Sequence, residues 1–291
     1  MSRKRPAPPL PEPLSPLIDA HTHLNACGAV DAHDVRAILD RAAKVGVGAV
    51  VTIADDLEAA QWAARAADWD PRVYAAVALH PTRADALDDT AKSVLEKLAA
   101  QQRVVAIGET GMDLYWPGKL DGCADPVRQR EAFAWHIDLA KRTGKPLMIH
   151  NRDADSDVLD VLRAEGAPEK VIFHCFSSGP EMARTCIDAG WYLSLSGTVS
   201  FRNATALREA ALLIPPAQVL VETDAPFLAP HPYRGAANEP YCLPYTVRAL
   251  SELTGRSAEE LAHDSSANAR RVYGLAEAGG CPGHGPGPQE G

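Results

Sequence analysis

Two imidazoles separated by one residue, His21-Thr22-His23, end an apolar stretch, LIDAHTHL, that begins at Leu17. Side chains two apart on an extended strand face the same way, so both rings can reach one cation. Other apolar stretches end on groups of the same chemistry: VYAAVAL on His80, VVAIG on Glu109, PLMI on His150, KVIF on His174 and VLVET on Asp224. Each histidine taken singly reads as a hydrogen-bonded core or surface ring, and a lone His-x-His recurs by chance. Together, four histidines and two carboxylates at the same end of five strands are a costly accident, because buried ionisable groups need partners. Imidazole and carboxylate donors suit magnesium, manganese, zinc or a similar divalent ion. Six are too many for one zinc, so the spacing predicts two divalent ions. Glu109 is expected to bridge a His21/His23/Asp224 site and a His150/His174 site. Asp19 and Glu222 share the parity of His21 and Asp224 one step deeper and are expected to support the ligands from behind.

Two such ions would lower the pKa of a shared water and neutralise charge developing on a phosphate, the chemistry of a hydrolase working through metal-activated hydroxide. Asp224, touching both metal and water, is the candidate proton acceptor, and Glu109 is counted with it among the catalytic groups. Arg152, two residues past His150, could clamp a phosphate oxygen through its planar fork, or pair with Asp153 or Asp155. Arg234, in the proline-rich loop APFLAPHPYRGAANEPYCLP, is a second phosphate contact, with pairing to Glu239 as its structural alternative. His80 could hydrogen-bond substrate or leaving group, or be a core imidazole. Tyr115 and Trp116 could stack unpaired bases or pack against helices, while Trp62 and Trp69 read as packing residues.

These groups need elements that bring them together. Eight apolar runs, starting at Leu17, Gly48, Val73, Val104, Pro146, Lys170, Trp191 and Val219, alternate with amphipathic stretches such as DAHDVRAILDRAAKVG and TAKSVLEKLAAQQ. Near-continuous apolar strands are those of a parallel sheet covered on both faces. Eight strand-then-helix units in about 250 residues predict an α/β fold of the (β/α)8 TIM-barrel type, whose strand C-termini converge on one mouth. An open doubly wound sheet is the alternative, but its glycine fingerprint after the first strand is missing. Residues 1–16, rich in proline, and 276–291, rich in glycine and proline, read as disordered tails around a single domain at 17–275.

The chain has 291 residues, 46% hydrophobic and 23% charged, with a formal net charge of −9. No apolar run approaches the ~20 residues of a bilayer crossing, and proline interrupts the basic N-terminus where a secretory signal needs an apolar block. The acidic balance supplies no general positive field for nucleic acid, so a polyanion would depend on a local basic site or on bound metal. Six cysteines, Cys27, Cys123, Cys175, Cys186, Cys242 and Cys281, lie dispersed without a Cys-x-x-Cys. They predict free thiols in a reducing cytoplasm.

The segments IDAHTHL, ALHP, IGETGMD, MIHNRDA, FHCFS, VETDAPFLAP and YRGAANEP, in that order between Leu17 and Tyr273, resemble the successive signatures of the TatD family of metal-dependent hydrolases. The resemblance implies an amidohydrolase-related barrel with divalent metals on His21, His23, Glu109, His150, His174 and Asp224. It also implies a hydrolase of the deoxyribonuclease kind, trimming DNA from single-stranded 3′ ends. Removal of D-amino acids from aminoacyl-tRNA on the same metals is the alternative, and a non-catalytic metal-binding scaffold a third reading. Met112 stands where the family usually has leucine or isoleucine. LYWPGKLDGCADP, after Asp113, departs from the commoner paired tyrosines and arginine, a change that bears on the details of substrate contact and not on the metals. No obligate protein partner and no membrane contact are expected.

Overall fold

The apolar runs become eight parallel strands and the amphipathic stretches nine helices in a computed structural model that describes residues 5–275. The strands are β1 (Leu17–Thr22), β2 (Val47–Thr52), β3 (Val73–Val77), β4 (Val104–Asp113), β5 (Leu147–Arg152), β6 (Val171–Phe173), β7 (Tyr192–Leu195) and β8 (Val219–Val221). The helices are α1 (Ala32–Ala43), α2 (Leu57–Trp69), α3 (Asp89–Ala99), α4 (Pro126–Thr143), α5 (Asp155–Glu165), α6 (Pro180–Asp188), α7 (Thr205–Ala211), α8 (Leu243–Thr254) and α9 (Ala258–Tyr273). The strands pair in chain order from β1 to β8. The ring is drawn shut just past β8, where Asp224 N donates to the His21 carbonyl at 2.9 Å and His23 N to the Ala225 carbonyl at 2.8 Å. An open sheet would leave these edges apart.

Ile18, Val51, Ala76, Val105, Met148, Ile172 and Leu220 form one buried apolar cluster. Side chains from seven strands can meet only inside the ring, so this cluster is the barrel interior. Ala269, Val272 and Tyr273 at the end of α9 join it, and the Tyr273 hydroxyl donates to the Ala20 carbonyl at 3.0 Å. A larger buried cluster lies between the strands and the surrounding helices. Aspartates at positions 31, 56, 88 and 125 cap α1 to α4 by accepting first-turn N–H groups, and Ser257 with Glu260 forms a capping box on α9. Each cap is worth about 1 kcal/mol.

Two features depart from the sequence reading. β4 does not end at Glu109 but continues four residues, because Thr110–Asp113 keep pairing with Ile149–Arg152 of β5. Glycines permit that approach: a Cβ on Gly108 would stand 2.4 Å from the Met148 Cβ, and one on Gly111, whose φ is +138°, 2.1 Å from the His150 carbonyl oxygen. The N-terminal segment, expected to be a disordered tail, is seated on the barrel over the part that is described. Pro8, Pro11 and Leu14 are buried at every third position, the repeat of a polyproline helix. Tyr241 and Tyr245 hydroxyls donate to the carbonyls of Pro8 and Pro9, and Arg248 to that of Glu12. Residues 1–4 and 276–291 lie outside the described residues. Among the described residues, no helix is long and apolar enough to cross a membrane.

Candidate metal centre

The strand ends deliver His21, His23, Glu109, His150, His174 and Asp224 to one mouth, all within the barrel's C-terminal rim. Their donor atoms fall into two sets that share Glu109. Around Glu109 Oε2 stand His21 Nε2 at 3.3 Å and His23 Nε2 at 3.8 Å. These two nitrogens are 3.2 Å apart, and Asp224 Oδ1 lies 3.6 Å from the first and 3.4 Å from the second. Around Glu109 Oε1 stand His150 Nδ1 at 2.8 Å and His174 Nε2 at 3.1 Å, themselves 3.3 Å apart. Donors around a tetrahedral ion at roughly 2.0–2.2 Å are separated by about 3.3–3.6 Å, so the first set has the spacing of a coordination shell. Glu109 Oε2 is buried and lacks any hydrogen-bond partner, a state that needs a compensating charge. The donors therefore fit divalent cations. Candidate three-residue metal groups include His21/His23/Glu109 and His21/His174/Asp224.

The outer ring nitrogens of His21, His150 and His174 also have hydrogen-bond partners, which fixes the orientation of those rings, whereas His23 Nδ1 has none. His174 Nδ1 meets Glu222 Oε1 at 3.3 Å, and the same oxygen accepts the Cys175 N–H at 2.7 Å. His150 Nε2 meets Asp113 Oδ2 at 3.1 Å, His23 Nδ1 lies 3.6 Å from Asp55 Oδ1, and His21 Nδ1 lies 3.2 Å from the Met148 sulfur. Glu222 thus stands behind His174. Asp19, expected to support the ligands from behind, accepts the Thr223 N–H at 2.9 Å, the Thr223 hydroxyl at 2.6 Å and the His21 N–H at 3.4 Å, tying β1 to the end of β8. The β1–β2 register slips between Asp19 and Thr22, so strict two-residue parity does not carry through this strand.

Electrostatics follow from burial and these carboxylates. Burial, with His174 beside it, lowers the His21 imidazole to about 3. Burial also opposes charge on His23, but a hydrogen bond to Asp224 and the nearby Asp55 and Glu109 outweigh it and raise the group to about 9. Glu109 is held well below the ordinary carboxylate range despite its burial, by His174, His150 and His21. Burial raises Asp19 to about 8, against the hydrogen bonds from Thr223.

Other sequence candidates sit at or beside the mouth. His80 follows β3, and its Nδ1 accepts the Thr82 N–H at 3.2 Å. In a neutral ring the proton is then on Nε2, 3.4 Å from Glu109 Oε1, and burial keeps the ring neutral by lowering it to about 3. Arg152 does not pair with Asp153 or Asp155; its guanidinium lies 4.0 Å from the Tyr115 ring centroid and 5.3 Å from that of Trp116. Arg234 lies over Phe201 at 4.5 Å, while Glu239 pairs with Arg41 at 2.9 Å. Trp62 and Trp69 pack edge to face at 5.6 Å. Sequence reasoning missed Asp113 and Asp55. Asp113 carried a signal, standing four residues after Glu109 on the same strand parity, but only with β4 extended past Glu109.

A barrel whose mouth gathers imidazoles around a shared carboxylate is the architecture of metal-dependent hydrolases. The chain belongs to the family described as TatD related DNase, whose model matches residues 18–274. It is 73% identical over 259 residues to the uncharacterized metal-dependent hydrolase TatD of Mycobacterium tuberculosis, covering 89% of this chain and 98% of that protein. It is 31% identical to the 3′-5′ ssDNA/RNA exonuclease TatD of Erwinia tasmaniensis, over 84% of this chain and 95% of the relative. Among solved structures, the TatD homolog YJJV of Escherichia coli superposes with a TM-score of 0.80 at 27% identity, covering 89% of this chain and 98% of that one.

Proposed function

We propose that this hydrolase is a two-metal nuclease that cleaves phosphodiester bonds at single-stranded 3′ ends. The observation that carries the reading is Glu109, whose two oxygens each face a separate set of ring nitrogens. His21, His23 and Asp224 would hold one ion and His150 and His174 the other. Of magnesium, manganese and zinc, the imidazoles suit zinc and the carboxylates magnesium or manganese. When bound, such ions acidify a shared water and neutralise charge on the phosphate. The chain's own groups do the rest. Asp224 accepts the proton from water, His80 Nε2–H donates a hydrogen bond to the phosphate or the leaving oxygen, and Arg152 and Arg234 hold the anionic chain. The name of the Erwinia relative supports nucleic acid as substrate, and nothing at the site favours an aminoacyl-tRNA ester. The five described cysteines are free, which supports a reducing compartment such as the cytoplasm.

The test offers purified protein a 3′-labelled single-stranded DNA and a D-aminoacyl-tRNA with magnesium, manganese or zinc. Labelled nucleotide should be released only with metal, and the release should vanish in His174→Ala. Release that survives that substitution comes from a contaminating nuclease and overturns the assignment; deacylation without nucleotide release would move it to the ester.

A further inference from the structure

We propose that the loop after β4 carries a clip for the phosphates flanking the scissile bond, made of Lys119 and Arg152 held against the ring of Tyr115. The inference rests on the nuclease reading and adds to it the part of the substrate beyond the reacting bond. Lys119 Nζ lies 3.7 Å from the Tyr115 ring centroid and the Arg152 guanidinium 4.0 Å. Among the described residues neither cation has a carboxylate within ion-pair distance; Asp155, three residues from Arg152, accepts instead from Asn151 and Ser178 at 2.6 Å each. In a chain of net charge −9, two uncompensated cations drawn to one ring repel each other, and nearby anionic charge relieves that repulsion. The ring that sequence reasoning offered to a base is occupied by these cations, so the surface recognises phosphate. Arg152 supplies a planar fork for two oxygens and Lys119 a point charge.

The clip is fixed to the metal centre through one carboxylate. Asp113 Oδ2 meets His150 Nε2 at 3.1 Å, while its Oδ1 accepts the N–H groups of Tyr115 at 3.0 Å and Trp116 at 3.1 Å. Leu114 N donates to the Arg152 carbonyl at 2.9 Å, joining the loop to the end of β5. Arg152 stands two residues beyond His150 on that strand, on the same face and nearer solvent. A strand whose scissile phosphate reached the Glu109 centre would pass its neighbouring phosphates over this loop.

The experiment compares two substrates on the metal-loaded enzyme: single-stranded hexathymidylate, and thymidine 5′-(p-nitrophenyl phosphate), which has one phosphodiester and no flanking phosphate. Lys119→Glu and Tyr115→Ala should lower the ratio of kcat/KM on the first to that on the second at least tenfold, through KM. Tyr115→Phe, which keeps the ring, should hold the wild-type ratio. The slope of log KM against log salt for the oligonucleotide should shrink by about 0.7 in Lys119→Ala, one phosphate contact on a single strand. An unchanged ratio, or equal losses on both substrates, overturns the clip. Wild-type enzyme that hydrolyses the chromogenic diester but not the oligonucleotide would sink the nucleic-acid reading, and the clip with it.

Discussion

At the scale of residues, the centre is a set of imidazoles whose inner nitrogens converge and whose outer nitrogens, on His21, His150 and His174, are held. Asp113 shows what that holding is worth. Its carboxylate touches no proposed substrate atom, yet it sets the tilt of His150. Asp113→Ala should weaken metal affinity 10–100-fold, the usual cost of losing a ligand's orienting partner, read by competition with a metal indicator dye while circular dichroism stays unchanged. Wild-type affinity in that variant would separate Asp113 from the centre. His23 adds a pH dependence. Its protonated form persists to about 9 without metal, so an ion entering the first set must displace that proton. Apparent affinity should rise about tenfold per pH unit below 9 for one proton released, whereas His21, lowered to about 3, has no proton to give up at neutral pH. Calorimetry in buffers of different ionisation enthalpy counts the protons, and a count of zero near pH 7 would refute this.

At the scale of elements, β4 does most to place the chemistry. It carries Glu109 and Asp113, and it reaches both positions only by running close against β5. Gly108→Ala would drive a methyl into the Met148 side chain, displacing the strand beside Glu109, the proposed bridging carboxylate. We expect about 1–3 kcal/mol of destabilisation in urea unfolding, as for overpacked cores, with loss of bound metal from whatever folds. A protein that kept both stability and metal would show that this close approach is dispensable. The N-terminal segment has a comparable role at the rim. Seated on Tyr241, Tyr245 and Arg248, it braces the stretch between β8 and α8 that carries Arg234.

For the molecule as a whole, net charge and the proposed nucleic-acid substrate oppose each other. An acidic chain binds a polyanion only where charge is locally reversed, here at the metal centre and at Arg152, Lys119 and Arg234, which have no carboxylate partner among the described residues. Removing divalent ions with EDTA should therefore cut single-stranded DNA affinity at least tenfold in fluorescence anisotropy, and long duplexes should bind only modestly. Tight, metal-independent duplex retention on a filter would contradict this picture.

Strand-forming apolar runs, their alternation with helices and the histidines and carboxylates that follow them were legible because those signals are local. A run such as VVAIG reads as a buried strand wherever it sits. What the ring's closure decided was which group backs which. Glu222 stands behind His174, two strands away, Asp113 behind His150, and Asp19 holds backbone across the seam because β1 slips register there. The proline-rich start looked unstructured because its hydrogen-bond partners lie more than 200 residues away. Local pattern selects an element. Contacts between chain-distant residues exist only once the elements have packed, and they orient the rings of His150 and His174 in this candidate centre.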